Sequence, residues 1–114
     1  YGISKFGMTM IAIGLAEEMR DHNIRATALW PKTAIESYAT INYGLGNPAL
    51  WRKPEIIADA TLEILRHPEL SNGRAVIDEE FLREVGYTDF DRYLCVAGGT
   101  PLELSSEVMA AART

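Results

Sequence analysis

Tyr1 and Lys5 stand four positions apart at the head of a segment in which apolar and small residues recur every three or four positions. On a helix this spacing puts both side chains on one face, one turn apart. A phenol, with a pKa of roughly 10, is idle as a base near neutrality. An ammonium group held beside it favours the phenolate, and the pair can then exchange a proton with an alcohol or carbonyl oxygen. Taken alone, the spacing fits an exposed helical pair better. The surroundings must decide.

Other residues invite chemistry less strongly. His22 and His67 each stand near a helix end, where a cation meets the terminal carbonyls, and neither has a second histidine at ligand spacing. Cys95 is the single cysteine, so the chain can form no internal disulfide and build no thiolate metal site. No metal is expected. Asp78, Glu79 and Glu80 could suggest paired-carboxylate chemistry, but they read as a strand end and an acidic helix start. Met8, Met10 and Met19 read as packing or interface residues.

The elements that would position the pair follow from periodicity. Ile3, Phe6, Gly7, Met10, Ile11, Gly14 and Leu15 form an apolar stripe, so the first segment reads as a helix, with Asn23 as its left-handed-tolerant stop. Residues 24–30 read as a strand apolar on both faces, which a parallel sheet flanked by helices requires. Pro31 ends it. Residues 32–53 form a long connection, some of it short helix. A second helix starts at Pro54, carries Ile57, Ala60, Thr61, Ile64 and Leu65 on one face, and ends at His67-Pro68. Ser71-Asn72-Gly73 is a turn, residues 74–78 a strand, residues 79–85 a helix stopping at Gly86, and Ser105 could cap a last helix.

This alternation is that of an α/β fold with parallel strands. Two strands cannot stabilise such a sheet, because both faces and both outer edges need partners. The expectation is a doubly wound, Rossmann-like sheet left incomplete by this chain and completed by elements preceding Tyr1.

Composition sets limits. The 114 residues carry a formal net charge of -5, with Lys5, Lys32 and Lys53 as the lysines and the arginines scattered, so nucleic acid is not an expected partner. The longest apolar stretch is too short to span a bilayer, and no signal peptide is visible. No membrane association is expected, and a cytoplasmic setting fits the lone cysteine.

Four landmarks in order resemble the C-terminal half of the short-chain dehydrogenase/reductase family. Tyr1-Gly-Ile-Ser-Lys5 and its small, apolar helix come first. Ile24-Arg-Ala-Thr-Ala-Leu-Trp-Pro31 follows, like the family's Ile-x-Val-x-x-x-x-Pro-Gly strand. Lys53-Pro-Glu-Ile-Ile-Ala-Asp59 is similar to a helix start of that family, and Asn72-Gly-Arg-Ala-Val-Ile-Asp78 to its final strand. A closer match, to one branch of the family, rests on residues 29–35, 56–60, 76–79 and 87–93. The resemblance implies that residues 1–114 are the C-terminal part of one NAD(P)-binding domain, with residues 79–114 as an extension.

It also implies roles. Tyr1 would be the general acid/base, and Lys5 the ammonium that favours its phenolate and hydrogen-bonds the nicotinamide ribose. The segment from Pro31 to Ile35 would contact the nicotinamide end of NAD or NADP. Thr33 is a candidate pyrophosphate or carboxamide contact, and backbone near Ile35 a candidate carboxamide partner. Lys32 stands where the family usually has glycine, which leaves the loop register open by one residue. Trp30 and Tyr38 would line the pocket of an alcohol or ketone substrate, with Tyr43 beside them and Trp51 anchoring the loop. The family's glycine-rich turn and substrate-orienting serine would lie upstream, so the chain alone is expected to be silent, with the N-terminal half of the same enzyme as its partner. A homo-oligomer paired through the first helix is implied as well. The rival reading is a non-catalytic interaction or assembly segment that keeps part of the fold.

Overall fold

The computed structural model describes residues 1–104. The tyrosine–lysine segment is helical as expected: α1 spans Gly2–Glu18, with Tyr1 as its N-cap. The Ser4 hydroxyl donates to the Tyr1 carbonyl at 2.6 Å, and the Lys5 N–H donates to the same carbonyl at 3.1 Å. One turn of 3-10 helix, Arg20–His22, extends α1, and Asn23 closes it at φ 55°, the left-handed stop expected of that residue.

The face that α1 packs is not the expected stripe. Thr9 and Ala16 are buried and Phe6 and Ile13 half-buried, a spacing that keeps one narrow seam on the sheet. Ile3, Met10 and Ile11 point outward and are exposed. Of the stripe, Phe6 is the large residue that meets the sheet, through a tilted ring contact with Trp30.

Two strands follow, β1 at Ala28–Trp30 and β2 at Ala75–Ile77, paired in parallel with Ala28 opposite Ala75, Leu29 opposite Val76 and Trp30 opposite Ile77. The expected parallel α/β arrangement is present, with each strand shorter than its sequence pattern. Residues 24–27 are not paired as a ladder. Instead the Ala26 N–H donates to Asn72 Oδ1 at 3.0 Å, and the Thr27 hydroxyl to the Ser71 carbonyl at 2.9 Å. Gly73, at φ +73°, turns the chain there and gives its N–H to the Ala26 carbonyl.

Between the strands lie α2 (Tyr38–Asn42), a 3-10 turn at Pro48–Leu50, α3 (Glu55–Arg66) and α4 (Pro68–Ser71). Ser37 and Thr40 form a reciprocal capping box that starts α2. Pro54 opens α3, with Glu55 in its first turn and Arg66 in its last, each at the favourable end of the helix dipole. Its buried face carries Ile56, Ala60 and Glu63, whereas Thr61 and Leu65 are exposed. The expected face is therefore rotated by about one position, because Glu63 finds partners inside. α3 ends where expected, with His67 as its C-cap, and Pro68 begins a separate short helix, α4, as the first-turn position of a helix permits.

From β2 the chain enters α5 (Asp78–Glu84) with no intervening residue, and Gly86 terminates it at φ +105°. A final 3-10 turn, Asp91–Tyr93, returns the chain onto α3. Ile56, Ala60, Leu82, Phe90 and Tyr93 make the main core, with Leu29, Ile35, Ile57 and Tyr87 packed against it. Two phenols pin the returning segment: Tyr93 donates to Asp59 Oδ2 at 2.6 Å and Tyr87 to Glu63 Oε1 at 3.1 Å. Burial, reinforced by the Asp59 carboxylate, pushes the Tyr93 phenol well above its ordinary range, so it remains a donor. Gly99 lies so close that a Cβ there would stand 2.7 Å from the Ala49 carbonyl oxygen. The helix that Ser105 could cap lies outside the described residues.

The rotated α3 face makes a direct contrast. Ile56→Ala, at a fully buried position of α3, should cost about 2–5 kcal/mol of unfolding free energy in denaturant titration. Leu65→Ala, on the exposed side of α3, should stay within about 0.5 kcal/mol. Equal effects would contradict this core assignment.

Candidate functional site

β1 ends beside the head of α1, and the two elements enclose a cleft of about 520 Å³. Tyr1, Lys5, Phe6, Thr9, Trp30 and Pro31 contribute walls, with Met8 and Leu104. The Lys5 ammonium lies 5.0 Å from the centroid of the Tyr1 ring, so the helical spacing does bring phenol and cation together. Tyr1 is 95% exposed, which leaves its hydroxyl free to meet a second molecule.

Trp30 is held from two sides. Its ring packs on Phe6 with centroids 5.2 Å apart, and its indole N–H donates to Thr9 Oγ1 at 2.8 Å. Thr9, buried in α1, in turn reaches the Lys5 carbonyl at 3.5 Å. One short chain of contacts thus couples the lysine's own helical turn to the strand end. Sequence reading missed Thr9, Phe6 and Leu104 in this cleft. Only the four-residue step from Lys5 to Thr9 pointed to the first of them.

The remaining anticipated residues sit differently. Thr33 is buried, and its backbone bridges antiparallel to Glu103, with its hydroxyl enclosed and without a protein partner among the described residues. Ile35 packs against the main core and bridges in parallel to Arg52. Tyr38 stands 80% exposed on α2, and Tyr43 is exposed near it. The structure therefore gathers Tyr1, Lys5, Trp30 and Pro31 into one cleft and leaves Thr33, Ile35 and Tyr38 outside its walls. Trp51 is buried, and its indole N–H donates to the Leu45 carbonyl at 2.9 Å, anchoring the loop.

Behind the cleft loop lies a charged cluster. Glu79, 5% exposed, accepts from Arg52 Nη1 at 2.6 Å, from Arg83 Nε and Nη2 at 3.0 and 2.9 Å, and from Lys32 Nζ at 3.3 Å. Burial pushes its pKa up, but the Arg52 and Arg83 hydrogen bonds and the charges of Arg52 and Lys32 outweigh it and hold the carboxyl below its ordinary range. Asp78, fully buried, goes the other way: burial raises it despite N–H donors from Lys32 and Glu79. The run of acids at 78–80 is a strand end and helix start, as its sequence suggests, and two of its members are also buried ion-pair and hydrogen-bond centres.

No protein-family model matches the chain. Hydroxysteroid dehydrogenase-like protein 2 of Rattus norvegicus is 44% identical over 103 residues, which is 90% of this chain and 19% of the relative. The protein of the same name in Danio rerio is 45% identical over 105 residues, 90% of this chain and 24% of that one. The chain thus spans about a fifth to a quarter of the curated relatives it matches. A crystal structure of a short chain dehydrogenase from Mycobacterium thermoresistibile superposes with a TM-score of 0.74 at 39% identity, over 87% of this chain and 36% of the other.

Because Glu79 is held below its ordinary range, the stability it contributes is present above its unfolded-state pKa, roughly 4.3, and is lost as pH falls through its lower folded value. Glu79→Gln should cost about 3 kcal/mol near neutrality by leaving buried Arg52 uncompensated, and the deficit should shrink in acid. Thermal melts from pH 7 to pH 3 check this; a deficit independent of pH would contradict it. In fold this chain is similar to about a third of a short chain dehydrogenase, and in sequence it is similar over nine-tenths of its length to part of hydroxysteroid dehydrogenase-like protein 2.

Proposed function

We propose that this chain carries the proton-transferring tyrosine of a short-chain NAD(P)-dependent oxidoreductase acting between an alcohol and the corresponding carbonyl compound. The observation that supports this most is the meeting of Tyr1, Lys5, Trp30 and Pro31 at one cleft that runs along β1 to its C-terminal end. Ligands of open α/β sheets bind at that end of the strands. The residues present suit the nicotinamide end of a dinucleotide: a largely apolar wall for a flat ring, with a phenol and an ammonium at its mouth.

When bound, the dinucleotide supplies or accepts the hydride. In the oxidative direction the hydroxyl proton of the substrate passes to Tyr1 Oη, and in the reductive direction Tyr1 returns it to the carbonyl oxygen. Lys5, whose ammonium lies beside the Tyr1 ring, favours the phenolate and would hydrogen-bond a ribose hydroxyl of the bound dinucleotide. Phe6, Met8 and Leu104 give the cleft its apolar surface beside the phenol. Trp30 supplies aromatic surface within the cleft and Pro31 would contact the nicotinamide end, whereas Tyr38 on α2 and the backbone from Thr33 to Ile35, outside the cleft walls, would contribute only from beside it.

Partners form part of the same proposal. The exposed apolar side chains of α1 and the two-stranded sheet call for further structure, which the preceding half of the enzyme and a second copy would supply. Among the described residues no helix is long and apolar enough to cross a membrane. We place the enzyme in the cytoplasm.

Absorbance of the reduced dinucleotide, followed in the intact protein with a panel of secondary alcohols and ketones, tests the reading. Tyr1→Phe should lower kcat/KM by about 10²–10⁴-fold with dinucleotide affinity little changed. The 114 residues alone should give no turnover. Undiminished activity in Tyr1→Phe, or failure of the intact protein to bind either dinucleotide, would overturn the assignment.

A further inference from the structure

We infer that Asp78 and Glu79 are positioning residues that latch the loop after Pro31 to the head of α5 and so fix the conformation in which residues 31–36 meet a ligand. The inference deepens the oxidoreductase reading and rests on it for the identity of that ligand.

The latch starts from the chain path. Ile77 is the last residue of β2 and Asp78 the first of α5, so no flexible residue separates these carboxylates from the sheet. Asp78 Oδ1 accepts the Lys32 N–H at 2.9 Å and the Glu79 N–H at 2.6 Å. One buried oxygen thereby ties the first residue after Pro31 to a helix 46 positions away. Glu79 continues the attachment through the Lys32 side chain and through Arg52. Arg52 brackets the far end of the loop: its N–H donates to the Ala34 carbonyl at 2.9 Å, and its carbonyl accepts from the Glu36 N–H at 2.8 Å. Both flanks of Thr33 are thus held by two adjacent acids.

Stability alone does not account for this arrangement. Adjacent buried carboxylates are costly, and apolar side chains of similar volume commonly stabilise as well or better. The cluster is also incompletely satisfied, since Thr33 Oγ1, Arg52 Nε and Asp78 Oδ2 are buried without a protein partner among the described residues. What the carboxylates provide is direction. A lone pair aimed at one backbone N–H fixes a loop residue in a way apolar packing cannot.

The test compares Asp78→Asn, which keeps the Oδ1 acceptor, with Asp78→Ala, which removes it, in the intact protein. Amide hydrogen exchange at Lys32 reads the latch without any ligand, and exchange at Val76 in β2 reports whether the sheet is intact. Asp78→Ala should speed exchange at Lys32 by about tenfold or more while Val76 changes little, and Asp78→Asn should restore slow exchange. In steady-state kinetics Asp78→Ala should raise KM for the dinucleotide by about tenfold with kcat changed less than about twofold, again rescued by Asn. Should Asp78→Ala fail to fold, Glu79→Gln takes its place, with faster exchange at the Arg52 amide as the expected result. Slow exchange at Lys32 in Asp78→Ala, at Arg52 in Glu79→Gln, or failure of Asn to rescue would overturn the latch. Absence of dinucleotide binding by the wild type would instead overturn the oxidoreductase reading and leave the exchange result to decide the latch.

Discussion

The parallel pairing of Trp30 with Ile77 is the constraint on which the rest of the molecule depends. It brings the ends of β1 and β2 level, so that Pro31 and Asp78 leave the sheet together. On one side the cleft opens between Trp30, Pro31 and the head of α1. Behind it, the Asp78 carboxylate meets the Lys32 N–H. A slip of one residue in this register would turn Trp30 away from Phe6 and Thr9 and separate Lys32 from Asp78.

Apolar packing and charge divide the work of holding that register. The main core lies between α3, α5 and the returning segment at Phe90 and Tyr93. It is non-directional and tolerates small shifts. The polar contacts do not: Tyr93 to Asp59, Tyr87 to Glu63, and the three cations around Glu79 each demand one geometry. α1 lies outside this core, attached through Trp30 and a seam of small or medium side chains. Its exposed Ile3, Met10 and Ile11 explain why the helix has an apolar stripe that this chain does not bury.

Much of this was legible in the sequence, for physical reasons that differ by element. Left-handed stops are local, so Asn23 and Gly86 could be read from residue type alone. The helical step between Tyr1 and Lys5 is equally local, and the cation does lie over the ring. Facing directions were harder. In α1 most of the stripe, Phe6 apart, has no partner within the described residues, and in α3 a glutamate is buried because Tyr87, Arg66 and His67 come to meet it from beyond the helix's own apolar pattern. Strand ends fell short because Asn72 and Ser71 side-chain and backbone groups replace ladder partners. The Asp78–Lys32 contact spans 46 positions, and no local pattern could have disclosed it.

A crystal structure of the intact protein with a nicotinamide dinucleotide bound would test the central claim most directly. The account predicts the nicotinamide ring in the cleft between Tyr1 and Pro31, with the Tyr1 hydroxyl within about 3–4 Å of the substrate oxygen position. A dinucleotide bound elsewhere, or a Tyr1 ring turned away from the ligand with Lys5 following it, would contradict it.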